Sequence, residues 1–125
     1  MDKFDVVAAI IIKDGKYFIA QRNRNKHMGL SWEFPGGKVE KEETFEIALK
    51  REIKEELNIE INIKNKLGEE NYQDDKINVK LHYFLCSHFN GKIILSEHAD
   101  SAWITKNEFK NYNFAEGDSD IIKLL

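Results

Sequence analysis

The feature that most constrains this chain is a pair of glutamates on the wrong side of a helix. Residues 44–57 carry Phe45, Leu49, Ile53 and Leu57 at every fourth position, with Ala48 beside them. That spacing builds one apolar stripe along a helix. Thr44 is placed to cap it, and Glu42, Glu43 and Glu46 cluster at the positive end of its dipole. Asn58 suits the left-handed residue that ends it. At roughly 100° per residue, Glu52 and Glu56 fall about 40° apart inside the stripe, with Glu55 at its edge. An amphipathic helix turns its carboxylates to water instead. A carboxylate buried without compensation costs several kcal/mol or takes up a proton. Lys50, Arg51 and Lys54 can form surface pairs with neighbouring glutamates, and for Glu46 with Lys50 that account suffices. Arg51 is expected to project to the side and to neutralise one carboxylate at most, so Glu52 and Glu56 need another partner. Mg²⁺ fits best, because it takes oxygen ligands, often one or two carboxylates plus substrate phosphates. Clustered carboxylates without His or Cys ligands therefore point to Mg²⁺, with Mn²⁺ as a substitute, and to phosphate chemistry.

The rest of the chain sets the frame. Its 125 residues suit one domain, and 1–125 reads as a single domain because no linker, repeat or low-complexity stretch interrupts it. The net charge of −3 leaves no electrostatic footprint for a nucleic-acid polymer. A nucleotide remains compatible with it, since a metal ion screens phosphates locally. Cys86 is the only cysteine, which excludes an internal disulfide and a thiolate zinc cluster. It reads as a small core residue. No apolar run is long enough to span a bilayer, and the opening residues lack a signal peptide's cationic start and cleavage site. The cytoplasm is the expected location.

Strands are expected at Phe4–Ile12 and Tyr17–Gln21, joined by a tight Asp14-Gly15 turn. Arg22–Ser31 reads as a loop. Trp32–Phe34 is extended and ends at Pro35, and Gly36-Gly37 is expected to turn the backbone sharply. Further strands are expected at Ile59–Ile63, at Ile77–Phe89, through an Asn90-Gly91 hairpin at Lys92–Leu95, and at Ser101–Ile104. Thr105 and Glu108 form a capping box that opens a short helix, and Ser119–Leu125 reads as a final helix. Interleaved strands and helices suggest an α/β (α+β) sandwich.

One motif is more specific than these patterns. Gly37, Glu43 after five residues, and after seven more Arg51-Glu52-Ile53-Lys54-Glu55-Glu56-Leu57-Asn58-Ile59 closely resemble the Nudix box. The one departure is Asn58, where the family usually has glycine, and asparagine is the next-best residue for a left-handed helix end. The whole chain resembles the MutT-type branch. Asn25-Lys26-His27-Met28 ahead of Trp32-Glu33-Phe34-Pro35-Gly36-Gly37-Lys38, Glu97 six residues before Trp103, and the closing segment from Phe114 to Leu125 are all similar to that branch.

The resemblance implies an α/β/α sandwich with a mixed β-sheet. It implies metal ligation by Glu52, Glu55 and Glu56, with the Gly36 carbonyl as a further ligand. Glu97 would be a ligand, or would orient and deprotonate the attacking water. Glu43 and Arg51 would brace the box. The implied reaction is in-line hydrolysis of a phosphoanhydride to a nucleoside monophosphate and pyrophosphate. The general base stays open among Glu52, Glu55 and Glu56, because proton abstraction depends on reach to one water. Arg22 and Lys38 are candidates for substrate phosphates, with a solvated surface cation as the alternative for each.

Base choice is expected outside the box. Asp118 matches the position where MutT-like enzymes read the base edge. The better-known oxidised-guanine enzyme of that branch carries asparagine there, whereas aspartate occurs in relatives that handle cytosine nucleotides and in other oxidised-purine sanitisers. A carboxylate accepts from the exocyclic amine of cytosine, and a protonated one donates to an oxidised purine. The alternative is that Asp118 only caps the final helix. Phe34 is a candidate wall for the base. His82 and Tyr83 read as packing residues, and His98 as a solvated loop histidine. Other branches fit less well: ADP-ribose enzymes tend to carry a proline some fifteen residues past the box and none follows Pro35, and dinucleoside polyphosphate enzymes tend to carry a tyrosine near that position, whereas Tyr72 lies too close to the box. Two further readings compete with the enzyme, a non-catalytic nucleotide-binding module and a charged protein-interaction helix. The complete set of box glutamates favours catalysis.

Overall fold

The computed structural model describes residues 2–115, 118 and 120–125, with Phe89 described by its backbone alone. Its centre is β1 (Phe4–Lys13), a run of Val, Ala and Ile whose residues Val7 to Ile11 are fully or almost fully buried. β-branched side chains suit such a strand because they fill both sides of the pleat. β1 turns through Asp14 and Gly15, with φ of 52° and 75°, into β2 (Lys16–Gln21). Two successive positive φ values are what a two-residue hairpin with the right twist requires. Two short strands follow, β3 (Trp32–Glu33) and β4 (Gly36–Lys38). After α1 (Phe45–Leu57) come the long β5 (Glu60–Gln73) and β6 (Asn78–Asn90), and then β7 (Asp100–Ile104).

The sheet is mixed, in the order β3-β2-β1-β6-β5. β6 runs parallel to β1 from Phe4↔Val79 to Ile11↔Cys86, and β5 is antiparallel outside it. The other side of β1 forks. Val6–Ala8 pair with β4, while Ile12 and Lys13 pair with β2, which carries β3 and β7. Pro35 sits at the fork, its carbonyl accepting from the Ala9 amide at 2.8 Å. One face of the sheet packs on Ala48, Leu49, Ile53 and Leu57 of α1, and the other on Phe34, Phe109 and Ile121. The second outer layer is made of 3₁₀ turns, Lys106–Asn111 and Ile121–Leu124. Among the described residues, no helix is long and apolar enough to cross a membrane.

The α1 expectation holds to its ends. Thr44 accepts from the Ile47 amide at 3.1 Å, and Asn58 closes the helix at φ 61°. The Thr105–Glu108 capping box is also present. Four expectations are corrected. Gly36-Gly37 is not a turn: both residues lie in β4, and neither has a positive φ. They are glycines because of crowding, since a Cβ at Gly36 would overlap the Val7 carbonyl and one at Gly37 the Glu52 carboxylate. β5 runs on to Gln73, and three register shifts break the alternation that would have marked it. Lys92–Leu95 is not a strand. It crosses the end of α1, where the Ile94 and Ser96 amides donate to the carbonyls of Leu57 and Glu56 at 2.9 and 3.1 Å. Helix ends leave such carbonyls without partners, and that demand outweighs strand pairing here. The closing helix is the short 3₁₀ turn from Ile121, and Ser119 lies outside the described residues.

Crowding and conformation can be separated by mutation. Gly36→Ala is expected to cost more than about 2 kcal/mol, because backbone atoms must move. Gly15→Ala meets open space at φ +75° and should cost only about 1–2 kcal/mol. Urea denaturation of the two variants measures both, and equal losses would contradict the steric account of β4.

Candidate active site

The bare backbone of Gly36 and Gly37 on β4 lets α1 lie close enough for its carboxylates to meet the sheet. Glu56 is buried, 6% exposed, and its Oε1 accepts the Gly36 amide at 3.1 Å. Burial is the main reason its carboxyl is pushed up to about 9, with repulsion from Glu33, Glu52 and Glu97 adding to it. Glu52 is shifted the same way, chiefly by burial, with Arg51 working against the shift. These carboxylates face one another across a cavity of about 380 Å³ whose lining includes Glu33, Glu52, Glu56 and Glu97.

Arg51 does more than neutralise one neighbour. Its Nε and Nη2 clasp both oxygens of Glu43 at 2.7 and 2.8 Å, its Nη1 reaches Glu52 at 2.7 Å, and its Nη2 also donates to the Lys38 carbonyl at 3.1 Å. A planar fork can do this where a lysine cannot. The clasp holds the Glu43 carboxyl down to about 2 and ties the loop before α1 to the helix. Glu55 lies 3.5 Å from the same guanidinium and is 58% exposed at its side chain, and it does not line the cavity.

Glu97 reaches the cavity because the segment before it is fastened to α1. The Ser96 hydroxyl donates to the Glu55 carbonyl at 2.6 Å, alongside the Ser96 amide bond to Glu56. His98 is then turned inward. Its Nε2 lies 2.9 Å from Glu33, and its side chain is 5% exposed rather than solvated. Glu33 also binds Arg22 Nη1 at 2.7 Å, and Arg22 Nε donates to the His27 carbonyl at 2.7 Å. His27 in turn contacts Asp74 at 2.7 Å, on the β5–β6 turn. The Asp74 carboxyl also accepts the Lys76 and Ile77 amides and the Tyr72 hydroxyl.

The same cavity has apolar walls as well, Val79, Leu81, Ile77 and Phe34 among them. One carboxyl is set into it. Asp118 is 6% exposed. Its Oδ2 accepts the Phe34 amide at 3.2 Å, and its Oδ1 accepts the Tyr83 hydroxyl. Burial, then repulsion from Glu33, pushes it up to about 7.

The residues fit a hard cation. All the side-chain donors are carboxylate oxygens, and burial opposes their charge unless a cation offsets it. Among the described residues, no cluster of three or more His, Cys, Asp or Glu side chains is arranged to hold a metal ion by itself. Mg²⁺ does not require such a cluster, because it completes its shell with waters and substrate phosphates.

Comparisons with known proteins agree with this geometry. The family model described as NUDIX domain matches residues 3–125. A CTP pyrophosphohydrolase of Escherichia coli K12 is 34% identical over 123 residues, covering 98% of this chain and 91% of that one. An 8-oxo-dGTP diphosphatase of Buchnera aphidicola is 36% identical over 118 residues, covering 94% and 89%. A MutT NUDIX hydrolase structure from Burkholderia pseudomallei superposes with a TM-score of 0.91 at 22% identity, covering 100% and 99% of the two chains, and shows the shared fold. The chain belongs to the Nudix hydrolase family.

Within this Nudix hydrolase, the residues singled out in the sequence fall into three groups. Glu52, Glu56, Glu97, Gly36, Gly37, Arg22, Phe34 and Asp118 all line the one cavity. Glu43 and Arg51 stand behind it as the clasp. Lys38 is exposed, with its ammonium over the Phe4 ring at 4.9 Å, and does not line the cavity. Asp118 is not the cap of the last 3₁₀ turn, where Asp120 stands. Glu33, Ser96, His98 and the Tyr83 hydroxyl were not legible as site groups. The one sequence signal was Glu33, a charge inside the apolar run Trp32–Phe34. His82 is buried as expected, stacked on Phe45, and also pairs with Asp5 at 2.8 Å.

The raised Glu56 carboxyl gives the stability of the metal-free protein a defined pH dependence. Between its ordinary value of 4.5 and about 9, the folded protein keeps a proton that the unfolded chain has lost. Stability should therefore fall as pH rises through that window. Glu56→Gln, which keeps an acceptor for the Gly36 amide, is expected to flatten the decline. Urea midpoints at pH 5, 7 and 9 in chelator test this, and parallel profiles would refute the assignment.

Proposed function

We propose that this Nudix hydrolase is a Mg²⁺-dependent nucleoside triphosphate pyrophosphohydrolase that releases a nucleoside monophosphate and pyrophosphate. The observation that carries the reading is the mixed lining of one cavity. Glu52, Glu56 and Glu97 share it with apolar side chains and with the buried carboxyl of Asp118. A nucleotide suits such a lining, with phosphates that need cations and a flat base that needs few, well-aimed hydrogen bonds. The similarity to the CTP pyrophosphohydrolase and the 8-oxo-dGTP diphosphatase supports it.

Glu52, Glu56 and Glu97, with the Gly36 carbonyl, would hold the metal, and Glu55 would join from the margin. When bound, Mg²⁺ supplies charge neutralisation at the phosphate oxygens and lowers the pKa of water. The protein supplies position. Arg51 holds Glu52, and Ser96 holds the segment that carries Glu97. The carboxylate that reaches the attacking water takes its proton. Arg22, anchored by Glu33 and lining the cavity, would offer its cation to the phosphates. Lys38 would have to leave Phe4 to join it. Asp118 accepts a base N–H, and Phe34 forms the wall beneath.

Pyrophosphate release with Mg²⁺ across the NTPs, dNTPs, 8-oxo-dGTP, 5-methyl-dCTP and ADP-ribose tests the reading. Turnover is expected for triphosphates and not for ADP-ribose, with cytosine or oxidised guanine preferred. Glu56→Gln should lose at least about 100-fold in kcat with its fold intact, and wild-type turnover in that variant would sink the metal-site assignment. Mg²⁺ should also raise the Tm of the wild type, more at pH 9 than at pH 6. A metal that binds only the ionised carboxylates relieves the folding penalty there.

A further inference from the structure

Behind the cavity wall lies a buried residue that is hydrogen-bonded to Asp118. Tyr83 lies on β6, fully buried, and is not part of the cavity lining. Its ring packs edge-on against Phe34 at 6.4 Å, and its hydroxyl donates to Asp118 Oδ1. The Phe34 amide donates to Oδ2 at 3.2 Å. Each carboxyl oxygen thus already receives one protein donor. Asp118 lines the cavity, and a carboxylate oxygen can accept a second hydrogen bond.

We propose that Tyr83 is a specificity-positioning residue, whose hydroxyl, with the Phe34 amide, commits Asp118 to accepting hydrogen bonds and so selects base edges that carry an N–H. This deepens the proposed function and rests on it.

The chemistry follows from donor counting. A carboxyl flanked by two donors gains from being ionised, because a neutral acid would have to aim its own proton into the cavity. The ionised form can only accept. Cytosine offers its exocyclic amine to such a group, whereas uracil offers a carbonyl at the same position. 8-Oxoguanine carries an N–H at N7, where guanine has a bare acceptor. One device therefore favours both CTP over UTP and 8-oxo-dGTP over dGTP. A buried acceptor facing another acceptor is left unpaired, which is why such sites discriminate strongly.

The charges around Asp118 make this hydroxyl decisive. Glu33 on β3 repels its ionised form and burial opposes it, while Tyr83 on β6, the Phe34 amide and Arg22 after β2 favour it. The net effect pushes the carboxyl up to about 7, and the Tyr83 hydrogen bond works against that rise. Tyr83 itself is held far above the ordinary tyrosine range, mainly by burial and then by Asp118, so it stays a donor.

The test is Tyr83→Phe, read in two ways. The first is the Asp118 carboxyl titration, followed by carbon NMR in metal-free protein with Asp118→Asn identifying the signal. The second is the ratio of kcat/KM for CTP over UTP and for 8-oxo-dGTP over dGTP. The variant is expected to raise the Asp118 pKa and to lower both ratios about tenfold. In an Asp118→Asn background, Tyr83→Phe should leave the ratios unchanged. 3-Fluorotyrosine placed at Tyr83, a stronger donor, should move the titration the other way, and it keeps the test open should Tyr83→Phe fail to fold. An unchanged titration, or equal losses on all substrates with unchanged ratios, would overturn the proposal. If the wild type cleaves no triphosphate, it is the proposed function that fails, and the titration alone then decides whether Tyr83 controls Asp118.

Discussion

Everything in the site depends on how closely α1 can approach β4. A helix that presents carboxylates to a sheet must find backbone there rather than side chains. Gly36 and Gly37 supply that surface, since a Cβ at either would overlap the Val7 carbonyl or the Glu52 carboxylate. The approach brings the Gly36 amide to Glu56 at 3.1 Å. It also makes the fold work against itself. The same packing that buries Ala48, Leu49 and Ile53 withdraws Glu56 from water, so the apolar core and the charged site share one helix face. Natural proteins tolerate such conflict chiefly where function requires it.

Two devices contain the conflict. The Arg51 clasp ties Glu43, Glu52 and the Lys38 carbonyl together, giving the more accessible carboxylates a permanent cation while Glu56 is left to the cavity. The loop before β7 uses the unfilled carbonyls of the last turn of α1 as its anchor. A capping requirement of the helix thereby becomes the means of placing Glu97. Arg22, Glu33 and His98, which all line the cavity, link the loops from β2 and β6 in one polar network.

Local signals are legible in the sequence because they act within a few residues. The Asp14-Gly15 turn, the Thr44 cap, the Asn58 terminus and the Thr105 capping box all involve neighbours along the chain, and all are present in the fold. The register of the apolar stripe likewise places Glu52 and Glu56 on the buried face from spacing alone. The departures share the opposite character. Only the start of β5 is legible, because an edge strand with three register shifts has no steady alternation. Lys92–Leu95 has the pattern of a hairpin arm, yet the carbonyls of α1, more than thirty residues earlier, claim its amides. The Gly-Gly pair suggests freedom to turn, whereas its reason is a neighbour from another strand and from the helix.

The sequence by itself determined the family, the helix and the acidic set, because the Nudix box is a contiguous pattern in which residue type and spacing carry the chemistry. Tertiary structure alone decided which of those carboxylates face one cavity, that Glu55 stands outside its lining, and that Asp118 is a buried acceptor rather than a helix cap. It also brought Glu33, Ser96, His98 and Tyr83 to the site. The Tyr83–Asp118, Ser96–Glu55 and His98–Glu33 bonds join residues from 35 to 65 apart along the chain. Hydrogen bonds of that reach depend on how strands and loops converge in space, and no local spacing encodes them.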